Sequence, residues 1–274
     1  IAKYYKNCSA IIKFSQEIFN LDLINKLNEK IKDDTKGVFS NVLNSDMIKS
    51  DMIGINTVFF EDEWLYRFST KLEDFTKFNS TKQKIDFLTL NDAMNIEYND
   101  EANDNLGVFS LKYRGKSGIK QLIFYQKQDI EDWNVFKNST LSLLKEVLST
   151  EFKFKTATGQ SIIKMPKFKT EVSINFRDEL NESEGLKHLF DKAADYSNMY
   201  KIPLRVSTLF QKAMFENNEK GTKAAAVTVV AMTRMAIIKK PIEKMEFIVN
   251  RTFAYALIDS EKNLLFVGVY DGKN

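Results

Sequence analysis

One cysteine and one histidine, Cys8 and His188, occur in 274 residues. A lone cysteine excludes an internal disulfide and any Cys-based zinc site, and a lone histidine excludes His-rich metal clusters. Little room is left for a Ser–His–Asp hydrolase. Three prolines and ten glycines mark no linker, low-complexity segment or internal repeat. The longest stretch without charge, glycine or proline is residues 224–233, well short of the roughly 20 residues a membrane span needs. Neither sign of charge dominates: 40 basic against 37 acidic side chains leave +3. Both signs are interspersed, so no nucleic-acid footprint is expected.

Core material is plentiful. Twenty-two Phe and two Trp exclude a disordered or fibrous chain, and the length fits one large domain or two small ones. The first residue is Ile1, and residues 1–8 have neither the basic start nor the apolar run of a signal peptide. They read as the end of a helix running into a strand, so a native N-terminal portion is expected to be absent. Five N-x-S/T sequons, at Asn7, Asn79, Asn138, Asn181 and Asn250, lean weakly toward a secreted glycoprotein.

Over residues 17–32, Phe19, Leu23, Leu27 and Ile31 recur every four positions with Ile24 beside them, an amphipathic helix. Residues 51–60 read as a buried strand, ending in Glu61-Asp62-Glu63 before Trp64. Strand-like runs follow at 85–90, 108–113 and 122–126, separated by polar turns. Helical period returns over 130–148 through Trp133, Phe136, Leu141, Leu144 and Val147. Residues 152–172 are strand-rich, alternating strictly at Phe152–Lys155 and Ile163–Met165. Short helices are expected at 176–180 and 185–193, and strand pattern dominates beyond Pro203. The sum is one mixed domain, residues 1–274, of the α+β class and rich in antiparallel strands. Cys8 reads as a small buried hydrophobe, and His188, between leucines, as structural.

The informative stretch is 216–241. Residues 224–232, Ala-Ala-Ala-Val-Thr-Val-Val-Ala-Met, combine high β propensity with no charge and small side chains at the start. Asn217-Asn-Glu-Lys-Gly221 precedes them, and a basic segment from Arg234 to Lys244 follows. One reading is a central strand packed under a helix. The other is a segment able to sit outside or inside a sheet, because small side chains make late insertion sterically cheap.

Glu219-Lys-Gly-Thr-Lys-Ala-Ala-Ala226 resembles the hinge of the serpin reactive-centre loop. Asn56-Thr-Val-Phe-Phe followed by Trp64 resembles the serpin strand pattern N-x-I-Y-F-K-G-x-W. Met165-Pro-Lys-Phe168 is similar to L-P-K-F, Ala194-Asp-Tyr-Ser197 to A-D-x-S, and Leu265-Phe-Val-Gly268 to the terminal L-F-x-G. The motifs keep serpin order and cover essentially the whole chain. The chain would begin near the end of the fifth helix of a longer fold and lack some strands of both main sheets.

The resemblance implies large antiparallel sheets with surrounding helices and a mobile reactive-centre loop at about 219–241. It also implies a metastable fold that acts as a suicide inhibitor. A serine protease attacks the loop, and the cleaved loop enters sheet A as an extra strand. On insertion Thr222, Ala224, Ala226, Thr228 and Val230 would point inward. Lys223, Ala225, Val227, Val229 and Ala231 would point out, so the only charge falls on the outward set. Glu219 and Lys167 match positions that pair where the loop enters the sheet near Trp64; an ordinary surface pair is the alternative. Asn56 matches a polar residue under the opening strands, and Gln211 stands where its usual His partner would be. Glutamine can still donate and accept. Arg251-Thr-Phe253 departs from the usual Arg-Pro-Phe.

Counting sixteen residues from Glu219 puts the scissile bond at Arg234–Met235 and implies a trypsin-like target. This is also the register of an antiplasmin-like loop. Counting seventeen puts it at Met235–Ala236 and implies a chymotrypsin- or elastase-like target. Arg234 is favoured, because an acidic specificity pocket left unpaired is costly. Lys239, Lys240 and Lys244 either steer an acidic protease surface or form a plain solvated loop. The expected partners are a serine protease and the missing N-terminal portion of the same fold, with no nucleic acid and no membrane. No cofactor is implied; a glycosaminoglycan is compatible with the family but has no support in these residues. A non-inhibitory carrier or chaperone is the rival reading.

Overall fold

The computed structural model describes residues 20–50, 52–115, 118–191, 194–195, 205–222 and 244–272. Its elements begin with α1 (Leu21–Asp34), β1 (Met52–Phe59), β2 (Asp62–Glu63), β3 (Ser69–Thr76), β4 (Lys82–Ala93), β5 (Glu97–Asn99) and β6 (Leu106–Lys112). Next come β7 (Lys120–Gln126), α2 (Trp133–Leu148), β8 (Lys155–Thr156), β9 (Ser161–Pro166), β10 (Phe168–Asn175) and α3 (Arg177–Asn181). The series closes with β11 (Val206–Asn217), β12 (Gly221–Thr222), β13 (Met245–Ile248), β14 (Phe253–Ile258) and β15 (Leu264–Tyr270). Two compact units share them: residues 1–60 with 171–215, and residues 61–170 with 216–274.

In the first unit α1 starts where the Asn20 side chain accepts from the Leu23 N–H. Ile24, Leu27 and Ile31 form its buried stripe, and the helix ends at Thr35, whose hydroxyl donates to the Ile31 carbonyl. Asn28, also on the buried face, donates to Leu43 O and accepts from Leu43 N, both at 2.9 Å. That two-way bond ties the helix to the segment leading into β1. Ile31, Phe39, Val42 and Met214 form one cluster, with Ile55, Phe59 and Phe210 packed against it. Alternation in β1 therefore turns Ile55 and Phe59 toward α1 and Asn56 to the opposite face. β1 pairs in parallel with β11 along its full length, Ile53 opposite Thr208 through Phe59 opposite Met214. β10 pairs with β11 on its other side, where Lys212 Nζ lies 2.9 Å from Glu171 Oε1.

The second unit holds two sheets. One has the order β13-β9-β4-β3, antiparallel except for the parallel β13–β9 pair. The other has the order β15-β14-β7-β6-β5-β8 and is antiparallel throughout. Against that sheet α2 buries Phe136, Leu143, Leu144 and Val147, which meet Leu106, Val108, Leu122 and Phe124. The helix starts at Asp132, whose carboxylate accepts from the Asn134 N–H. Gly107 in β6 leaves room for the Tyr125 ring, which a Cβ would meet at 2.4 Å.

The fold class read from the sequence holds, with corrections in detail. The alternation at Phe152–Lys155 gives a strand only at Lys155–Thr156. Phe152 and Phe154 pack on each other, ring centroids 5.0 Å apart, and on the α2 core instead of joining a ladder. Of the two expected short helices, 176–180 becomes α3, but 185–193 yields only a 3-10 turn, Lys187–Phe190. His188 is exposed there and pairs with Asp191 at 3.1 Å. β3 gave no apolar signal because it is mostly exposed and charged, with only Phe75 fully buried. Residues 1–19, including Cys8, lie outside the described residues.

Candidate functional site

Three residues, Asn218–Lys220, reverse the chain between β11 and β12. Asn218 N donates to Gly221 O at 3.0 Å, and the Asn218 side chain accepts from the N–H groups of Lys220 and Gly221. This is an Asx-type turn whose side chain mimics a backbone acceptor. The turn is clamped from the segment that follows β2. Trp64 Nε1 donates to Asn218 O at 2.9 Å, Trp64 N to Lys220 O at 2.8 Å, and Phe68 N to Glu219 O at 3.0 Å. Three successive carbonyls, of Asn218, Glu219 and Lys220, are thus held by two aromatic residues. Trp64 is itself fixed: it is 1% exposed, stacks on Tyr113 at 4.4 Å and 10°, and meets Phe68 edge-on at 5.7 Å.

β12 pairs antiparallel with β2, Gly221 opposite Glu63 and Thr222 opposite Asp62. Gly221 has φ +150°, where a Cβ would lie 2.1 Å from the Asp62 carbonyl oxygen and 2.6 Å from Glu63 Cα. Only glycine fits that approach.

The Glu219 carboxylate accepts from Lys167 Nζ at 2.8 Å and from the Thr70 hydroxyl at 2.5 Å, both on Oε1. Partial burial works to raise its pKa, but the Lys167 and Thr70 hydrogen bonds outweigh it and hold the group at about 2, below the ordinary 4.5. A depressed carboxylate pKa gives stability that is present above the ordinary value and lost as pH falls toward the folded one. The melting temperature of the Glu219→Gln variant should therefore lie below wild type at pH 7, and the gap should narrow as pH falls from about 4.5 toward 2. A gap independent of pH would show that the charge contributes nothing.

Asn217 contrasts with these satisfied groups. It is fully buried, and neither its amide nitrogen nor its side-chain oxygen has a hydrogen-bond partner among the described residues. A buried amide without partners costs about 1–3 kcal/mol, and an apolar side chain of similar shape removes that cost. Asn217→Leu should stabilise the protein by about that amount, read as an increased urea midpoint at constant m-value. A loss of stability would mean that Asn217 is satisfied.

Against this geometry stand the comparisons. A profile of the family described as Serpin (serine protease inhibitor) matches residues 1–271. The chain belongs to the serpin family. Among curated relatives, Serine proteinase inhibitor 1 of monkeypox virus is 29% identical over 257 residues, 89% of this chain and 67% of that protein. Iripin-1 of Ixodes ricinus is 26% identical, covering 93% of this chain and 65% of the relative. Serpin48 of the insect Tenebrio molitor matches in structure with a TM-score of 0.75 at 22% identity, over 96% of this chain and 67% of that one. Tengpin, a thermophilic serpin in the native state, gives 0.73 at 25%, over 93% and 64%. The chain spans about two thirds of the length of these serpins.

Of the residues singled out in the sequence, the structure brings Glu219, Lys220, Gly221, Lys167 and Trp64 to one place. Thr222 is placed by its backbone pairing with Asp62 and Asn217. Asn56 and Gln211 lie apart from these, as register partners across the parallel β1–β11 pair, on the face away from α1. Asn56 is exposed and Gln211 half-buried. Lys244, the one member of the basic segment within the described residues, pairs with Asp92 at 2.8 Å, a local contact of the second unit. Lys223, Ala224, Ala225, Ala226, Arg234, Met235 and Ala236 lie outside the described residues. Thr70, Phe68 and Asn218 join the same cluster without having been expected. Asn218 was legible as an Asx residue three before a glycine. Thr70 and Phe68 carried no local signal, because their role depends on chain 150 residues away.

Proposed function

We propose that this serpin is a protease inhibitor, not an enzyme, and that it traps a serine protease as a covalent acyl-enzyme. The protease's serine oxygen attacks the carbonyl carbon of Arg234 and forms an ester, while the Met235 amine leaves with a proton. The freed strand, led by Thr222, Ala224 and Ala226, then enters between β1 and β11 and carries the ester-linked protease with it.

The observation that carries this reading is the direct β1–β11 ladder. Parallel strands of a large sheet pair over eight residues, Met52–Phe59. Gly221 and Thr222, from which the inserting segment would continue, pair with β2. Opening that ladder forfeits its backbone hydrogen bonds, and a longer strand entering between them returns two sets. Relaxation is therefore downhill once cleavage frees the loop. The small or β-branched inward set makes entry sterically cheap and favours inhibition over a carrier role. Extracellular location and glycosylation belong to the same proposal, with Asn79 the best-presented acceptor, in an exposed turn between β3 and β4.

The test is to mix the intact protein separately with trypsin and chymotrypsin, run denaturing gels and weigh the released C-terminal peptide. A covalent trypsin complex with a peptide beginning at Met235 is the expected result. A chymotrypsin complex with a peptide beginning at Ala236 would move the bait to Met235. Cleavage by both with no complex would overturn the inhibitor reading.

A further inference from the structure

We infer that the second unit carries a ligand site behind the hinge, sized for one aromatic ring with a carboxylate, and that its occupancy tightens the hold on the loop. This inference rests on the inhibitor reading for its consequence but not for its binding.

The site is a cavity of about 130 Å³ whose floor is Trp64, Phe68, Ile96 and Leu111, all buried. A dry apolar cavity of about 150 Å³ takes up benzene, so one ring fits this volume. Leu65, Tyr66 and Met94, at 41%, 39% and 43% exposed, are the large apolar side chains of the lining that reach the surface, and Asn95, Ser110 and Lys112 make up its polar part. Large hydrophobic side chains converging on one opening mark a binding surface better than scattered ones do.

The charge comes from Lys112, which lines the same cavity. Its ammonium lies 2.7 Å from one oxygen of Glu97, while Lys120 holds the other oxygen, also at 2.7 Å. Glu97 therefore has two cations, and Lys112 can turn to an incoming carboxylate without leaving Glu97 unpaired. Two ammonium groups against one carboxylate leave a positive excess at the rim, so the ligand's polar end is anionic.

The link to the loop is short. Trp64 and Phe68 present one side to the cavity and their backbone N–H groups to the carbonyls of Lys220 and Glu219. A ring seated against both side chains restricts the motion that would release those bonds. A ligand that favours the clamped state shifts the hinge toward it by the difference in its affinities.

The probe is 3-phenylpropionate, compared with 3-phenylpropanamide, on the Trp133→Phe protein, so that emission reports Trp64 alone. A saturable change in Trp64 emission is expected. The acid should bind at least about threefold tighter than the amide, and Lys112→Gln should abolish that preference. Leu90→Phe, which fills the cavity from β4, should abolish binding with an unchanged melting temperature. Saturating acid should slow hydrogen exchange at the Trp64 and Phe68 amides and slow covalent trapping of the protease. No change in Trp64 emission, or equal binding of acid and amide, would overturn the site. Binding without slower exchange would overturn the coupling. Slower exchange in a protein that traps no protease would sink the inhibitor reading and leave the site standing.

Discussion

Ala226→Arg should convert this serpin from inhibitor to substrate: the target protease should cleave the loop at an undiminished rate but leave with no covalent complex. The reason is the two-residue period of a strand. In the inserted strand of the proposed mechanism, counted from Thr222, positions 224 and 226 would share one face. A guanidinium on that face must enter the sheet interior without a partner, which costs several kcal/mol. On the proposed mechanism insertion and deacylation compete for the same acyl-enzyme, and each 1.4 kcal/mol added to the insertion barrier shifts the partition about tenfold. The covalent fraction should therefore fall by about tenfold or more. Ala225→Arg, one residue away on the face that would point outward, should leave it nearly unchanged, as Lys223 would carry a charge on that same side. The two variants are compared by the ratio of complex to cleaved protein at matched protease. Equal loss in both would mean that the face assignment is wrong.

What was legible in the sequence followed burial. α1, α2, β1, β6, β7 and β9 each carry their period because one face, or both, packs in a core: Ile24, Leu27 and Ile31 in α1, Ile163 and Met165 in β9. β3 was invisible for the opposite reason. Its ladder to β4 runs through eight register pairs, but Thr70, Lys71 and Leu72 face solvent. The parallel direction of β1 with β11 and of β13 with β9 had no local signature either, since it is fixed by connections rather than composition.

The site divides in the same way. Glu219, Lys167 and Trp64 were found through short motifs at both ends, and they meet within one unit. Thr70 and Phe68 could not be found so, being hydrogen-bond donors to a segment about 150 residues on, on an otherwise ordinary stretch. Asn217 is the inverse case. Its type is unremarkable at a strand end, and only its full burial without a partner among the described residues marks it.

Gly221→Ala should be the most destabilising conservative change in the hinge. Two independent costs add. The residue sits at φ +150°, a region essentially closed to side chains, which costs about 1–3 kcal/mol. The new methyl would also press on three backbone atoms, Asp62 O at 2.1 Å, Glu63 Cα at 2.6 Å and Trp64 N at 2.8 Å. Backbone cannot move aside as a flexible side chain can, so β12 must leave β2. The Gly221–Glu63 and Thr222–Asp62 pairings go with it, and the Trp64 N–H loses its geometry to the Lys220 carbonyl. On the proposed mechanism, a segment no longer held at β2 would be free to insert before any protease arrives. Inhibitory capacity should be normal in freshly folded protein and decay within hours, while wild type keeps it. That decay should accompany a rise in thermal stability, because on the proposed mechanism the inserted form is the relaxed one. The check is to age both proteins, then measure the melting temperature and the titre against protease. A Gly221→Ala protein with unchanged capacity and an unchanged melting point would mean that the Gly221 approach to β2 does not hold the hinge.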